Sequence, residues 1–143
     1  MKILVTGGTG YIGSHTCVEL IKAGHEVVIF DNLYNSKIDV VDKIEQITGV
    51  RPAFYNADLK DKESMRVVFE DNKDAMFDTV IHFAGLKAVG ESVAKPLMYY
   101  KNNIAGTINL TELMNEYGCK SIVFSSSATV YGSPKSVPIS EDF

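Results

Sequence analysis

The sequence is short of cysteine, of long apolar runs and of positive charge, and each shortage excludes something. Its two cysteines, Cys17 and Cys119, stand far apart without CxxC or zinc-type spacing, and read as reduced thiols of a cytoplasmic protein. No apolar stretch approaches the ~20 residues needed to cross a bilayer. "MKILVTGG" at the start carries one lysine and a short apolar run, which fits a strand better than a signal peptide. The net charge of −4 argues against nucleic acid or an anionic membrane surface as a main partner. Nothing in the spacing of its side chains resembles a metal site. Repeats, low-complexity tracts and interdomain linkers are absent too, so the 143 residues read as one domain, large enough to bury a core.

What is present is a steady alternation of short apolar runs with amphipathic segments. Strands are expected at "KILVTG" (2–7), "EVVIFD" (26–31), "PAFYNAD" (52–58), "DTVIHFAG" (78–85) and "KSIVFSS" (120–126). Helices are expected over 12–23, stopped by Gly24, over 38–47, closed by Gly49, and over 62–72. A long helix should run from Pro96 to Tyr117, with proline in its first turn and Gly118 at its end. Strands apolar throughout and separated by helices imply a parallel sheet covered on both faces. The fold class is therefore α/β, a doubly wound parallel sheet of about five βα units.

"TGGTGYIG" sets Gly7, Gly10 and Gly13 directly after the first strand and at the opening of the first helix. Glycines there allow a tight turn, let backbone N–H groups approach a pyrophosphate and let the helix pack close to the sheet. The helix N-terminus adds its partial positive charge. The spacing is GxxGxxG rather than GxGxxG, and a ligand-free tight turn is the bland alternative. Asp31 closes the second strand, about 20 residues beyond the glycines, where a carboxylate accepts hydrogen bonds from the adenosine ribose and repels a 2′-phosphate. No arginine lies near it, so NAD is favoured over NADP. Asp58 follows the third strand, within reach of an adenine edge. His82, inside an apolar strand, reads as a hydrogen-bonded core histidine, and "DKES" as a solvated helix start.

"VTGGTGYIGSHT", "DNLYNS", "HFAGLKAVGES", "YYKNNIAGT" and "FSSSATVYG" together resemble the UDP-glucose 4-epimerase family, extended short-chain dehydrogenase/reductases with a Rossmann-like domain. The resemblance covers essentially the whole chain, and the segment after the fourth strand is its most specific part. It implies that Gly7, Gly10, Tyr11 and Ile12 cradle the NAD pyrophosphate. Asp31, Asn32, Asn35 and Ser36 would hold the adenosine ribose and neighbouring phosphate, with Asp58 and Leu59 beside the adenine. Phe83, Ala84, Gly85 and Lys87 would line the nicotinamide side, Lys87 near the phosphates. Asn102, a poor helix former within the long helix, would make a functional contact, the alternative being a solvated helix face. Ser127 would hydrogen-bond the sugar hydroxyl being oxidised, and Ser125 would shape the same wall at the carboxyl end of the fifth strand.

The family's chemistry also needs a tyrosine and a lysine one helical turn apart. Tyr131 and Lys135 match that spacing formally, but Gly132 and Pro134 oppose a helix between them. The catalytic tyrosine–lysine segment and the UDP-sugar domain are thus not among these residues. The chain as given is expected to be an incomplete NAD-binding domain, inactive alone and with apolar surface left uncovered. By resemblance, the full-length enzyme would bind a UDP-sugar and form a homodimer through the long helix, whose Tyr100, Ile104, Leu110, Leu113, Met114 and Tyr117 exceed one narrow stripe. Another NAD-dependent sugar-nucleotide epimerase or dehydratase, or a noncatalytic NAD-binding module, stands as the alternative.

Overall fold

The computed structural model describes residues 1–143. Five parallel strands form its centre, β1 (Lys2–Thr6), β2 (Glu26–Asp31), β3 (Ala53–Asn56), β4 (Thr79–His82) and β5 (Ile122–Phe124). They lie side by side in the order β3-β2-β1-β4-β5. β1 is therefore central, paired with β2 through Val5↔Ile29 and with β4 through Val5↔Ile81. Chain order reverses at β1, and a crevice opens there beyond the strand ends.

Alternation along the strands divides the core between the two faces. Leu4, Val28, Phe30 and Val80 point one way, into a cluster with Met65, Val68 and Phe69 of α3 (Lys62–Asp71) and Leu110, Leu113 and Met114 of α6 (Gly106–Glu116). Ile3, Val5, Val27 and Ile29 point the other way, toward Cys17 and Ile21 of α1 (Tyr11–Lys22) and Ile44 of α2 (Asp39–Thr48). Phe69 meets Phe77 edge to face, with centroids 5.6 Å apart. Burial of side chains this size stabilises by about 1.5–3 kcal/mol each, so the sandwich rests mainly on these rows. Local chemistry fixes the ends. Asp61 caps α3 by accepting from Ser64 N, as the polar "DKES" run implies, and Gly49 stops α2 at φ 76°.

Three features differ from the sequence expectation. A short helix, α4 (Val89–Ala94), precedes the expected long one, where Gly90 weakens the helical pattern. The long helix itself is composite: α5 (Pro96–Tyr99), a wide π-helical stretch (Tyr100–Ala105) and α6. Backbone angles stay helical through both junctions, so apolar periodicity runs on and conceals the change. Strands β3, β4 and β5 are also shorter at both ends than the expected runs 52–58, 78–85 and 120–126. No helix is long and apolar enough to cross a membrane.

Candidate functional site

One groove lies beyond the carboxyl ends of β1, β2 and β4. Gly7, Gly10, Phe30, Asp31, Asn32, Tyr34, Asn35, Ser36, Ala57, Leu59, Phe83, Ala84, Gly85, Leu86 and Asn102 line it.

Its floor is the glycine turn. Gly7 has φ 70°, and a Cβ there would stand 2.8 Å from the Ala84 backbone nitrogen. A Cβ at Gly13 would lie 2.2 Å from the Gly7 carbonyl oxygen. Neither distance is tolerable, so only glycine lets α1 start this close to β1. Gly10 begins α1 with no side chain capping it. The first amide groups of any helix lack an intrahelical acceptor, which leaves those of Tyr11, Ile12 and Gly13 for an anion. The Tyr11 and Ile12 side chains themselves are exposed and lie outside the groove.

The second wall is "DNLYNS", whose fold is dictated by its acid and amides. Asp31 Oδ1 accepts from Leu33 N at 2.9 Å, and Asn32 Oδ1 accepts from Tyr34 N at 3.0 Å. These are two successive turns closed by a side chain on the backbone two residues on. They hold Leu33 at φ 59°, a left-handed conformation rare for leucine. Asp31 Oδ2 also accepts from Thr9 N at 3.3 Å, and Thr9 Oγ1 lies 2.6 Å from Ser36 Oγ, tying this wall to the glycine turn. Asn32 Nδ2 donates to Asp58 Oδ2 at 3.2 Å, so Asp58 braces the wall from outside the lining.

The third wall is Phe83–Leu86, after β4. Asn103 from the π-helical stretch grips it, its Oδ1 accepting from Leu86 N at 2.8 Å and its Nδ2 donating to Leu86 O at 2.9 Å. Asn102, 5% exposed, donates from Nδ2 to Asn103 Oδ1 at 2.9 Å and borders the groove, so it is not on a solvated helix face. Lys87 is exposed at the rim. Beneath, His82 is 1% exposed, with Nδ1 2.6 Å from Thr6 Oγ1 and Nε2 3.0 Å from Thr107 Oγ1. Burial, helped by the Lys87 charge, pulls its pKa from 6.5 down to about 4, so the ring is neutral. It is the hydrogen-bonded core histidine the sequence implies.

The serines after β5 do not line the groove. Ser125 is half-buried, and its N–H donates to His82 O at 3.2 Å, extending the ladder by one bond. Ser127 is exposed and caps a short 3₁₀ turn (Ala128–Tyr131), its Oγ accepting from Thr129 N. That turn ends at Gly132 with φ 71°, so no helix carries Tyr131 and Lys135 on one face. Sequence reasoning passed over Thr9, Tyr34, Asn103 and Thr107. The segments "VTGGTGYIGSHT", "DNLYNS" and "YYKNNIAGT" contain all four, and the doubled asparagine points to Asn103.

The family model described as GDP-mannose 4,6 dehydratase matches residues 4–143. The UDP-glucose 4-epimerase of Bacillus subtilis (strain 168) is 59% identical over 143 residues, all of this chain and 41% of its own length. The solved UDP-glucose 4-epimerase from Bifidobacterium longum, in complex with NAD+ and UDP, superposes with a TM-score of 0.92. It is 49% identical, over 99% of this chain and 42% of that one. The enzyme from Stenotrophomonas maltophila, with bound NAD and formylated UDP-arabinopyranose, gives a TM-score of 0.91 at 50% identity over 99% of this chain and 41% of its own. The chain thus spans about two fifths of the length of these relatives.

Proposed function

The chain belongs to the GDP-mannose 4,6 dehydratase family, and from that premise we propose that it is the amino-terminal, NAD-binding part of a UDP-glucose 4-epimerase. The observation that carries the reading is the groove itself, with a glycine-only floor at a helix N-terminus and a hydrogen-bonded carboxylate opposite. The residues fit a dinucleotide. The glycine floor lets α1 start close against β1, because a Cβ at Gly7 or Gly13 would strike the neighbouring backbone, and this brings the amides of Tyr11, Ile12 and Gly13 to the charge of a pyrophosphate. Asp31 and Ser36 take the adenosine ribose, with Asn32 and Asn35 beside them and Asp58 and Leu59 bordering the adenine. Phe83, Ala84, Gly85, Lys87 and Asn102 take the nicotinamide half, with Ser125 behind.

Held by these residues, NAD would supply reversible hydride chemistry for C4 of a UDP-sugar. In this chain Ser127 would serve that step by hydrogen-bonding the sugar hydroxyl, exchanging its contact with Thr129 for one to the substrate. These 143 residues carry no tyrosine–lysine pair on a helix, so by themselves they are expected to bind NAD without turnover. In the full-length protein we place a homodimer on the exposed row Leu97, Tyr100, Ile104 and Ile108. Leu110, Leu113 and Met114 are buried in the core and Tyr117 packs against it, so of the six apolar residues named from sequence Tyr100 and Ile104 are the part left for a partner. The free, buried Cys17 and Cys119 favour a cytoplasmic setting. The family model's own description keeps a sugar-nucleotide dehydratase as the second reading, and 59% identity to an epimerase across every residue favours the first.

The test is a titration of NAD and NADP into wild type, Asp31→Ala and Asp58→Ala. NAD should be preferred by one to two orders of magnitude, since charge-assisted hydrogen bonds contribute roughly 1.5–3 kcal/mol. Asp31→Ala should weaken NAD and narrow the gap, while Asp58→Ala leaves the gap nearly unchanged. Failure of wild type to bind NAD would overturn the reading, and equal affinities would remove Asp31 from its role.

A further inference from the structure

We propose that His82, Thr6 and Thr107 form a directed hydrogen-bond relay that sets the position of the nicotinamide-side wall. The inference rests on the NAD-binding reading and extends it to residues outside the groove lining.

The direction of every bond follows from the count of protons. Thr107 Oγ1 stands 2.6 Å from Asn103 O, a carbonyl that can only accept, so the hydroxyl proton goes there. Thr107 Oγ1 must then accept from His82, which puts the ring proton on Nε2. Nδ1 is left as an acceptor, and Thr6 Oγ1 donates to it. Thr6 Oγ1 in turn accepts from Ala84 N at 3.1 Å. The chain reads Ala84 N–H to Thr6, Thr6 to His82, His82 to Thr107, Thr107 to Asn103 O, with each donor satisfied once. The other tautomer leaves the Thr6 hydroxyl without an acceptor and takes the Thr107 proton away from Asn103.

Both ends of the relay reach the groove. Ala84 is a lining residue, and Asn103 holds Leu86 by its main chain on both sides. The π-helical stretch supplies the second end: it carries Asn103, and the Thr107 hydroxyl bonds that residue's carbonyl four residues back. The wall is therefore fixed to β1 at Ala84 and to the composite helix at Leu86, with one buried imidazole joining the two. His82 and Thr107 are positioning residues, acting through Ala84 and Leu86. A neutral ring is a condition of the device, because a protonated Nδ1 cannot accept from Thr6.

The experiment uses the full-length protein with isotope-labelled histidine, followed by nitrogen NMR, and amide exchange at Ala84 and Leu86. His82 should show the neutral Nε2–H tautomer from about pH 5 to about pH 8. Thr107→Val should speed Leu86 exchange and weaken NAD about tenfold, the loss of one net hydrogen bond, while core Leu4 keeps its protection. Thr107→Ser, which keeps the hydroxyl, should restore both. An Nδ1–H or charged ring at neutral pH overturns the relay, and so does unchanged Leu86 exchange in Thr107→Val. Faster exchange with unaltered NAD affinity overturns the positioning role. If wild type binds no NAD, the NAD-binding reading fails, and the tautomer and exchange data still decide the relay, neither requiring cofactor.

Discussion

His82 couples the stability of this fold to pH through a single buried ring. Its folded pKa, about 4, lies below the ordinary value of 6.5, because burial disfavours the charged form and Lys87 adds repulsion. In that window the unfolded chain binds the extra proton and the folded chain does not. The histidine's contribution is therefore complete above about pH 6.5 and is lost progressively as pH falls toward 4, a change of about 3 kcal/mol. The groups packed around the ring, Thr6, Thr107 and Phe124, carry no charge that would offset this. Urea midpoints of wild type and His82→Gln, compared at about pH 7 and about pH 4.5, should converge as pH falls, because the variant lacks this titration. Parallel decline in the two proteins would show that other groups govern the acid limb. The residue was legible in the sequence as a core histidine, since a polar side chain inside an apolar strand must find partners. Its partners were not legible, for Thr6 and Thr107 are 101 positions apart and only the sheet and composite helix bring them together.

At the level of elements, the opening of α1 is where tight packing and ligand access coincide. Gly13→Ala would drive a Cβ to 2.2 Å from the Gly7 carbonyl, and neither group is a flexible side chain that can yield. We expect a loss of about 3 kcal/mol or more, the upper range for overpacking, with a larger fractional loss of NAD affinity because the glycine turn must move. Gly90→Ala in α4 is the control: nothing lies within 4 Å of its Cβ position, and it should be neutral or slightly stabilising. Equal denaturation midpoints for the two variants would show that α1 can shift freely. The glycine motif was readable because its spacing after a strand has few uses. Apolar runs likewise placed every strand, but they overran the ends of β3, β4 and β5, since several of the residues that follow, such as Ala57, Phe83, Ala84 and Ser125, are themselves apolar or neutral. The π-helical stretch is not marked in the sequence, because its residues keep helical backbone angles and none of them is a proline that would signal a change of helix type.

Across the whole molecule, two apolar surfaces are left open. Strand β5 exposes Val123 and Phe124, and the composite helix exposes Leu97, Tyr100, Ile104 and Ile108 in one row. The row is separate from the core, because Leu110, Leu113 and Met114 turn inward on the same helix. Sequence alone could not divide these residues, as both sets recur at three- and four-residue spacing. Covering four such side chains on each of two subunits would contribute roughly 10 kcal/mol, given that each is already partly covered. Association costs about 4–15 kcal/mol, so a dimer built on this row stands close to balance and needs nearly all of it. Ile104→Glu should then convert a full-length dimer to monomers at micromolar concentration, because two like charges would face each other across an apolar contact. The folded subunit should lose no more than about 0.5 kcal/mol, since Ile104 is 56% exposed and contributes little to the core. Sedimentation of wild type and variant reads the mass, and thermal unfolding extrapolated to low concentration reads the subunit. A wild type that sediments as a monomer would take the row out of any dimer, and an Ile104→Glu protein that remains dimeric would move the interface to another face.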